Sequence, residues 1–191
     1  MRIVAGRLRG RALTAPKDHA IRPTSDRVRE TIFNVLAHGL NDADVDVEGA
    51  QVLDLFAGTG ALGLEALSHG AAFCLFVETS VAARAIIRRN IEAFELTGCT
   101  RIHRRDATAL GEAGTRIPAD LVFLDPPYAQ GLGERALRAA ASGGWLADGA
   151  VTVWEEAARA TLDVPAGFTV LSDRVIGDTR VVFARYAAAV A

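Results

Sequence analysis

Gln51-Val52-Leu53-Asp54-Leu55-Phe56-Ala57-Gly58-Thr59-Gly60-Ala61-Leu62-Gly63 decides how the chain folds. Its first half is a short apolar run of strand character, and its glycine-punctuated second half passes directly into a segment with helical periodicity, 61–69. Strand, tight turn and helix make the opening unit of a parallel sheet, because parallel neighbours need a long crossover that a helix supplies. The alternation continues outward. Residues 51–56, 73–78, 101–105, 121–125 and 151–155 read as strands, and 81–94 and 132–141 as helices. This pattern predicts an α/β fold with a mostly parallel, doubly wound sheet covered on both faces. Near the end it changes: 168–172 and 181–186 flank a turn at Gly177-Asp178, which predicts a terminal antiparallel strand pair.

The chain has 191 residues, 50% apolar and 23% charged, the profile of one ordinary globular domain with a small appendage. No apolar run approaches the roughly 18 to 20 uncharged residues of a membrane-spanning helix. The arginine- and glycine-rich start lacks the apolar stretch of a secretory signal, so the expected address is the cytoplasm. Cys74 and Cys99 are the only cysteines, and His19, His38, His69 and His103 share no ligand spacing. Neither a disulfide framework nor a metal site is expected, and no nucleophile triad is legible.

The net charge of -2 conceals an uneven distribution. Residues 1–38 hold eight Lys and Arg against three Asp and Glu, while the remainder holds thirteen against twenty. A basic arm on an acidic body suits a polyanion at the arm and different work in the body. The division drawn is 1–40, a basic arm and helix, and 41–191, the sheet domain, joined through a polar stretch at 41–49. Residues 1–14 read as a small hairpin or extended arm. Beyond Pro23, a Thr24, Ser25 or Asp26 cap followed by Val28, Ile32, Val35 and Leu36 announces an amphipathic helix. Arg27 and Arg29 lie near the positive end of its dipole, where local electrostatics disfavours them, so an external anion is their expected partner. The candidate polyanion contacts are therefore Arg2, Arg7, Arg9, Arg11, Arg22, Arg27 and Arg29.

Two segments carry chemistry. In the first, Gly58 and Gly60 allow the backbone to turn tightly and approach a ligand at a helix start, and Glu78, twenty positions after Gly58, closes the second strand where a carboxylate can accept ribose hydroxyls. Gly58-x-Gly60-x-x-Gly63 with an acidic residue also satisfies the dinucleotide fingerprint, so a nicotinamide-dependent oxidoreductase stays open. The second is Asp125-Pro126-Pro127-Tyr128. Consecutive prolines stiffen the backbone, so the Asp125 carboxylate and Pro126 carbonyl present fixed acceptors suited to an amino group. Gripping the hydrogens of a nucleobase amine aims its lone pair, and Tyr128 offers a face for the base to stack on. Past the third strand, Asp106 and the Ala107 amide are placed to meet an adenine. A DNA adenine-N6 methyltransferase would use the same acceptors, although the chain is short for a separate DNA-recognition domain. A non-catalytic RNA-binding module is a further alternative, opposed by an intact Asp125 and Tyr128.

Asp54-Leu55-Phe56-Ala57-Gly58-Thr59-Gly60 with Asp125-Pro126-Pro127-Tyr128 resembles the S-adenosylmethionine-dependent amino methyltransferases of the Rossmann-like class I fold. Arg2-Ile3-Val4-Ala5-Gly6, Arg9-Gly10-Arg11 and Arg22-Pro23-Thr24-Ser25-Asp26-Arg27-Val28-Arg29-Glu30-Thr31-Ile32-Phe33-Asn34 narrow the resemblance to the bacterial RsmD family, over nearly the whole chain. The resemblance implies methyl transfer to N2 of a guanine in 16S ribosomal RNA, in a partly assembled small subunit, by a monomer without metal. It implies S-adenosyl-L-methionine as cofactor, held by Asp54, Phe56, Ala57, Gly58, Thr59, Gly60, Glu78, Asp106, Ala107 and Asp125. Asp125, Pro126, Pro127 and Tyr128 would hold the target guanine, and the basic arm would hold the RNA. Arg105 stands before Asp106 where the family often has glycine.

Overall fold

A computed structural model describes residues 1–15, 25–38, 40, 45–128 and 130–188. The strands are β1 (Gln51–Leu55), β2 (Phe73–Val77), β3 (Thr100–His103), β4 (Ala119–Leu124), β5 (Leu146–Ala157), β6 (Phe168–Ile176) and β7 (Thr179–Tyr186). They form one sheet of order β3-β2-β1-β4-β5-β7-β6. The first five are parallel, and β7 runs antiparallel between β5 and β6. The helices are α1 (Asp26–His38), α2 (Ala61–Ser68), α3 (Val81–Ala93) and α4 (Leu132–Ser142). No helix among the described residues is long and apolar enough to cross a membrane.

Every expected element is present, and the shifted ends have physical causes. β1 stops at Leu55 because Phe56 adopts a left-handed φ of 58°. β5 begins at Leu146, ahead of the expected 151: Asp148-Gly149 reads as a turn, yet a register shift opposite Ala119 and Leu121 absorbs it within the strand. β6 runs on to Ile176 through the polar Ser172-Asp173-Arg174, which an edge strand tolerates on its solvent side. There Arg180 of β7 makes a bidentate pair with Asp173, at 2.9 and 2.6 Å, which lowers the Asp173 pKa. Helix α1 is capped by Ser25, whose Oγ accepts from Val28 N at 3.2 Å.

Alternation along the strands feeds two cores. Val52, Cys74, Phe76, Leu121 and Phe123 face one layer, occupied by α1, α2, α3 and the arm. Leu53, Leu55, Leu75, Val122 and Leu124 face the other, covered by α4 and the 107–109 turn. Both cysteines are free, and burial pushes the Cys74 thiol pKa up.

Arm and α1 belong to the first core. Ile3, Leu8 and Leu13 are buried in the same cluster as Val28, Ile32, Phe33, Leu64 and Phe123. The arm is a hairpin closed by Ile3 N donating to Arg11 O and Leu13 N to Met1 O. It lies on α2, every residue of which is buried. A helix apolar on nearly all sides needs cover on all sides, and the arm supplies what the sheet does not. Glu65 makes the join: its carboxylate accepts from Val4 N and Ala5 N at 2.8 to 3.0 Å. Ser68 adds a second join, accepting from Leu8 N at 3.0 Å and donating to Ala5 O. A Cβ on Gly6 would collide with the Ser68 carbonyl, so the arm approaches α2 where only glycine fits. Phe33 of α1 stacks on His69 at 4.6 Å, and burial lowers the His69 pKa.

Arg29 departs from expectation. Instead of facing an external anion it is 0% exposed, donates to Arg2 O at 2.6 Å and Asp26 Oδ1 at 2.8 Å, and lies 3.5 Å from Glu65. The unfavourable dipole position is offset by internal carboxylates, and Arg29 is removed from the set of RNA contacts. Glu65→Ala strands that buried guanidinium and two arm amides, so denaturant unfolding should show a loss of about 3 to 5 kcal/mol, with Glu65→Gln intermediate. A loss below about 1 kcal/mol would mean the arm is anchored elsewhere.

Candidate active site

Strand β1 lies between β2 and β4, with Leu55 level with both Val77 and Leu124. The chain therefore leaves the sheet at Phe56, Glu78 and Asp125 side by side. This is also where the connections diverge to opposite halves of the sheet, the place at which open α/β sheets form a ligand crevice.

The loop after β1 is built on left-handed residues: Phe56 at φ 58°, Gly58 at 54° and Gly60 at 77°. The third glycine has another reason. A Cβ on Gly63 would stand 2.5 Å from both Cys74 Sγ and Phe76 Cε1, so Gly63 is required for α2 to lie close on the sheet. Two carboxylates brace the loop. Glu78 accepts from Gly58 N at 2.9 Å through one oxygen and from Ser80 N at 2.7 Å through the other. Asp54 Oδ2 accepts from Gly63 N at 3.0 Å. Burial pushes the Asp54 pKa well up; the Gly63 bond opposes this, and the nearby charges of Asp125 and Glu78 add to it. Asp54 thus feels the charges of both Asp125 and Glu78 from its buried position.

Asp54 and Thr59, both expected to touch a cofactor, are buried, as are Ala57 and Gly60 of the loop. Asp54 is 2% exposed and acts through Gly63. Thr59 is also buried, and its carbonyl accepts from Asn90 Nδ2 at 3.3 Å. Phe56 and Gly58 remain half-exposed at the crevice. At the end of β3, Asp106 Oδ1 accepts from Thr108 N and Oγ1, both at 2.8 Å, which lowers its pKa and fixes its orientation, while Ala107 is buried beside it. The set suits a nucleoside-bearing cofactor. Glu78 is held rigid by one amide per oxygen yet keeps lone pairs for hydroxyls, and the glycine turn keeps side chains away from the ligand.

Asp125 and Tyr128 line, on the far side, a cavity of about 220 Å³; of the two prolines between them, Pro126 is buried and Pro127 exposed. Its other walls include Ser25 and Arg27 of the α1 end and the Gly177-Asp178-Thr179 turn. That turn was missed as part of the site. Because β7 is antiparallel, with Thr179 level with Ala157, the turn falls at the same sheet edge as Asp125. The sequence signal was Gly177-Asp178 closing the terminal pair.

Of the basic residues, Arg2, Arg7, Arg9, Arg11 and Arg27 are exposed. Arg2 donates to Gly10 O at 3.1 Å and Arg7 to Leu67 O at 3.3 Å. Arg11 donates to Ala93 O and lies over the Phe94 ring, 4.7 Å from its centroid. Arg22 lies outside the described residues. Asn90 on α3 is another residue the sequence did not single out. Its Oδ1 accepts from Thr14 N at 2.8 Å, and its Nδ2 donates to Thr14 O and Thr59 O, each at 3.3 Å, so one carboxamide ties the arm to the glycine loop. A lone buried asparagine on an apolar helix face was the available signal.

The family model described as Conserved hypothetical protein 95 matches residues 1–185. The Ribosomal RNA small subunit methyltransferase D of Escherichia coli K12 is 38% identical over 93% of this chain and 85% of its own length. A solved structure, the putative methyltransferase yhhF from Escherichia coli, superposes with a TM-score of 0.82 at 34% identity, covering 98% of each chain. A Thermus thermophilus 16S rRNA N2 G1207 methyltransferase (RsmC), solved with AdoMet and guanosine, shares the fold at TM-score 0.63 and 22% identity, over 86% of this chain and 44% of that one. With both the family model and the Escherichia coli relative spanning nine-tenths or more of its length, the chain belongs to the RsmD family of methyltransferases.

Proposed function

We propose that the protein transfers a methyl group from S-adenosylmethionine to the exocyclic N2 of a guanine in 16S ribosomal RNA. One observation carries this reading: Asp125 and Tyr128 share a cavity with Ser25 and Arg27 at the start of α1, while the charge of Asp125 also acts on Asp54 beneath the glycine loop. Asp125 thus stands between a cofactor crevice and a wall contributed by the basic N-terminal region. The relatives' names point the same way, as does the guanosine and AdoMet complex formed by a protein of this fold.

The Asp125 carboxylate and Pro126 carbonyl accept the two amino hydrogens of the base, and the Tyr128 ring supports its face. An aryl amine is a poor nucleophile because its lone pair is delocalised into the ring, and fixed acceptors favour the pyramidal nitrogen that frees it. S-adenosylmethionine, when bound, would supply an electrophilic methyl group on a sulfonium sulfur, with S-adenosylhomocysteine as the leaving group. Asp125 need not remove a proton beforehand; it receives or relays one after the nitrogen has become cationic. Glu78 holds ribose hydroxyls, Phe56, Ala57, Gly58 and Gly60 carry the amino-acid portion, and Asp106 with the Ala107 amide reads the adenine. Arg2, Arg7, Arg9 and Arg11 hold RNA phosphates, with Arg22 in the same role. The substrate is the rRNA within a partly assembled small subunit, and the enzyme acts in the cytoplasm as a monomer.

The nicotinamide reading is set aside because a relative matching 93% of the chain is a methyltransferase; Gly63, packed against Cys74 and Phe76, does not separate the two, since the third glycine of that fingerprint also serves helix–sheet packing. Asp125→Ala should slow methyl transfer by about 10²- to 10⁴-fold in single-turnover assays while S-adenosylhomocysteine affinity stays within a few-fold. Equal loss of both would remove Asp125 from the transfer step. Replacing Arg7, Arg9 and Arg11 by Glu should weaken RNA binding and reduce its log–log salt slope by roughly 0.7 to 0.9 per lost phosphate contact. An unchanged slope would place the RNA elsewhere.

A further inference from the structure

The cavity beyond Asp125 is also lined by three charged residues that the transfer step does not use: Arg27, Asp178 and the buried Glu155. Arg27 stands in the first turn of α1, where the helix dipole disfavours a cation, and Asp178 stands in the β6–β7 turn. Among the described residues neither has a side-chain hydrogen bond or ion pair, with each other or with a neighbour. The Asp178 backbone is fixed, because its carbonyl accepts from Ala158 N at 2.9 Å. Opposite charges lining one cavity without pairing across it leave both available to a guest that presents a donor on one side and acceptors on the other.

We propose that Arg27 and Asp178 select the base, making the cavity specific for guanine over other amino-bearing purines. The inference rests on the proposed reading of the cavity as the target site. Guanine carries an N1–H donor directly beside its N2 amino group, with O6 and N7 beyond. With N2 held at Asp125 and Pro126, a second carboxylate accepts from N1–H, and a guanidinium donates to O6 and N7, the pairing by which arginine distinguishes guanine elsewhere. In 2-aminopurine the same amino group sits beside an unprotonated N1 and there is no O6, so it sets an acceptor against Asp178 and offers Arg27 less. Adenine likewise has an unprotonated N1 next to its amino group. A site built to hydrogen-bond a particular edge rejects analogues lacking it more strongly than an apolar pocket does, because its own polar groups are then left unpaired. Arg27 thereby moves from holding phosphate to reading the base, and the Gly177-Asp178 turn gains a function.

The test measures methyl transfer into 16S rRNA fragments, in assembled subunits, that carry guanine or 2-aminopurine at the target position. The wild-type protein should prefer guanine in kcat/KM by roughly 10- to 100-fold. Asp178→Asn can donate its amide hydrogens to an unprotonated N1, so the rate on 2-aminopurine should rise in absolute terms and the preference fall about tenfold. A merely structural role for Asp178 would not produce that gain. Arg27→Gln should lose rate on guanine while changing little on 2-aminopurine; a phosphate contact would lower both equally and shift the salt slope. If wild-type protein treats the two bases alike, or both variants slow the two substrates in proportion, the inference is wrong. Wild-type protein that methylates neither substrate would instead overturn the proposed function.

Discussion

Arg29 and Glu65, both fully buried, set the condition that the rest of the molecule meets. Removing two charges from water is costly, and the cost is offset only if their remaining hydrogen-bonding capacity is filled. Arg2 O and Asp26 accept from Arg29, and the amides of Val4 and Ala5 donate to Glu65, which ties the arm, α1 and α2 to one another. Because α2 begins at the glycine loop and the first turn of α1 carries Arg27, this fixed triangle determines where the cofactor crevice and the far cavity stand around Asp125.

The crevice depends on strand order. Placing β1 between β2 and β4 delivers three chain exits to one edge, and each exit brings a carboxylate or leads away from one: Asp54 below the loop, Glu78 beyond β2 and Asp125 beyond β4. Burial pushes Asp54 toward its neutral form, the Gly63 amide opposes this, and the charges of Asp125 and Glu78 add to the upward push.

Much of this was legible in the sequence because the signals were local. Periodicity of two and of 3.6 located the strands and helices, and the glycine and proline motifs marked the exits that carry the site. Legibility failed where a long-range partner decides the outcome. Arg29 has the sequence context of a surface arginine, and only the folded position of Glu65, far along the chain, turns it inward. Asp148-Gly149 has turn chemistry but is absorbed as a strand irregularity once β4 is alongside. The Gly177-Asp178 turn looked like the close of a hairpin, and it joins the cavity only because an antiparallel strand returns it to the edge where the parallel strands end. Asn90 gave no motif at all; its partners, Thr14 and Thr59, are brought together by tertiary packing.

The arm on α2 has a consequence for how such a protein can diversify. The stretch that offers cations outward also hides, with its other side, an apolar helix that would otherwise face water, and there is no seam at which one task can be separated from the other. Variation that retunes contact with a nucleic acid must therefore keep Ile3, Gly6, Leu8 and Leu13 in place, and is confined to the residues that alternate with them. A lineage adapting this enzyme to a new target would be expected to drift at Arg2, Arg7, Arg9 and Arg11 far more freely than at the positions between.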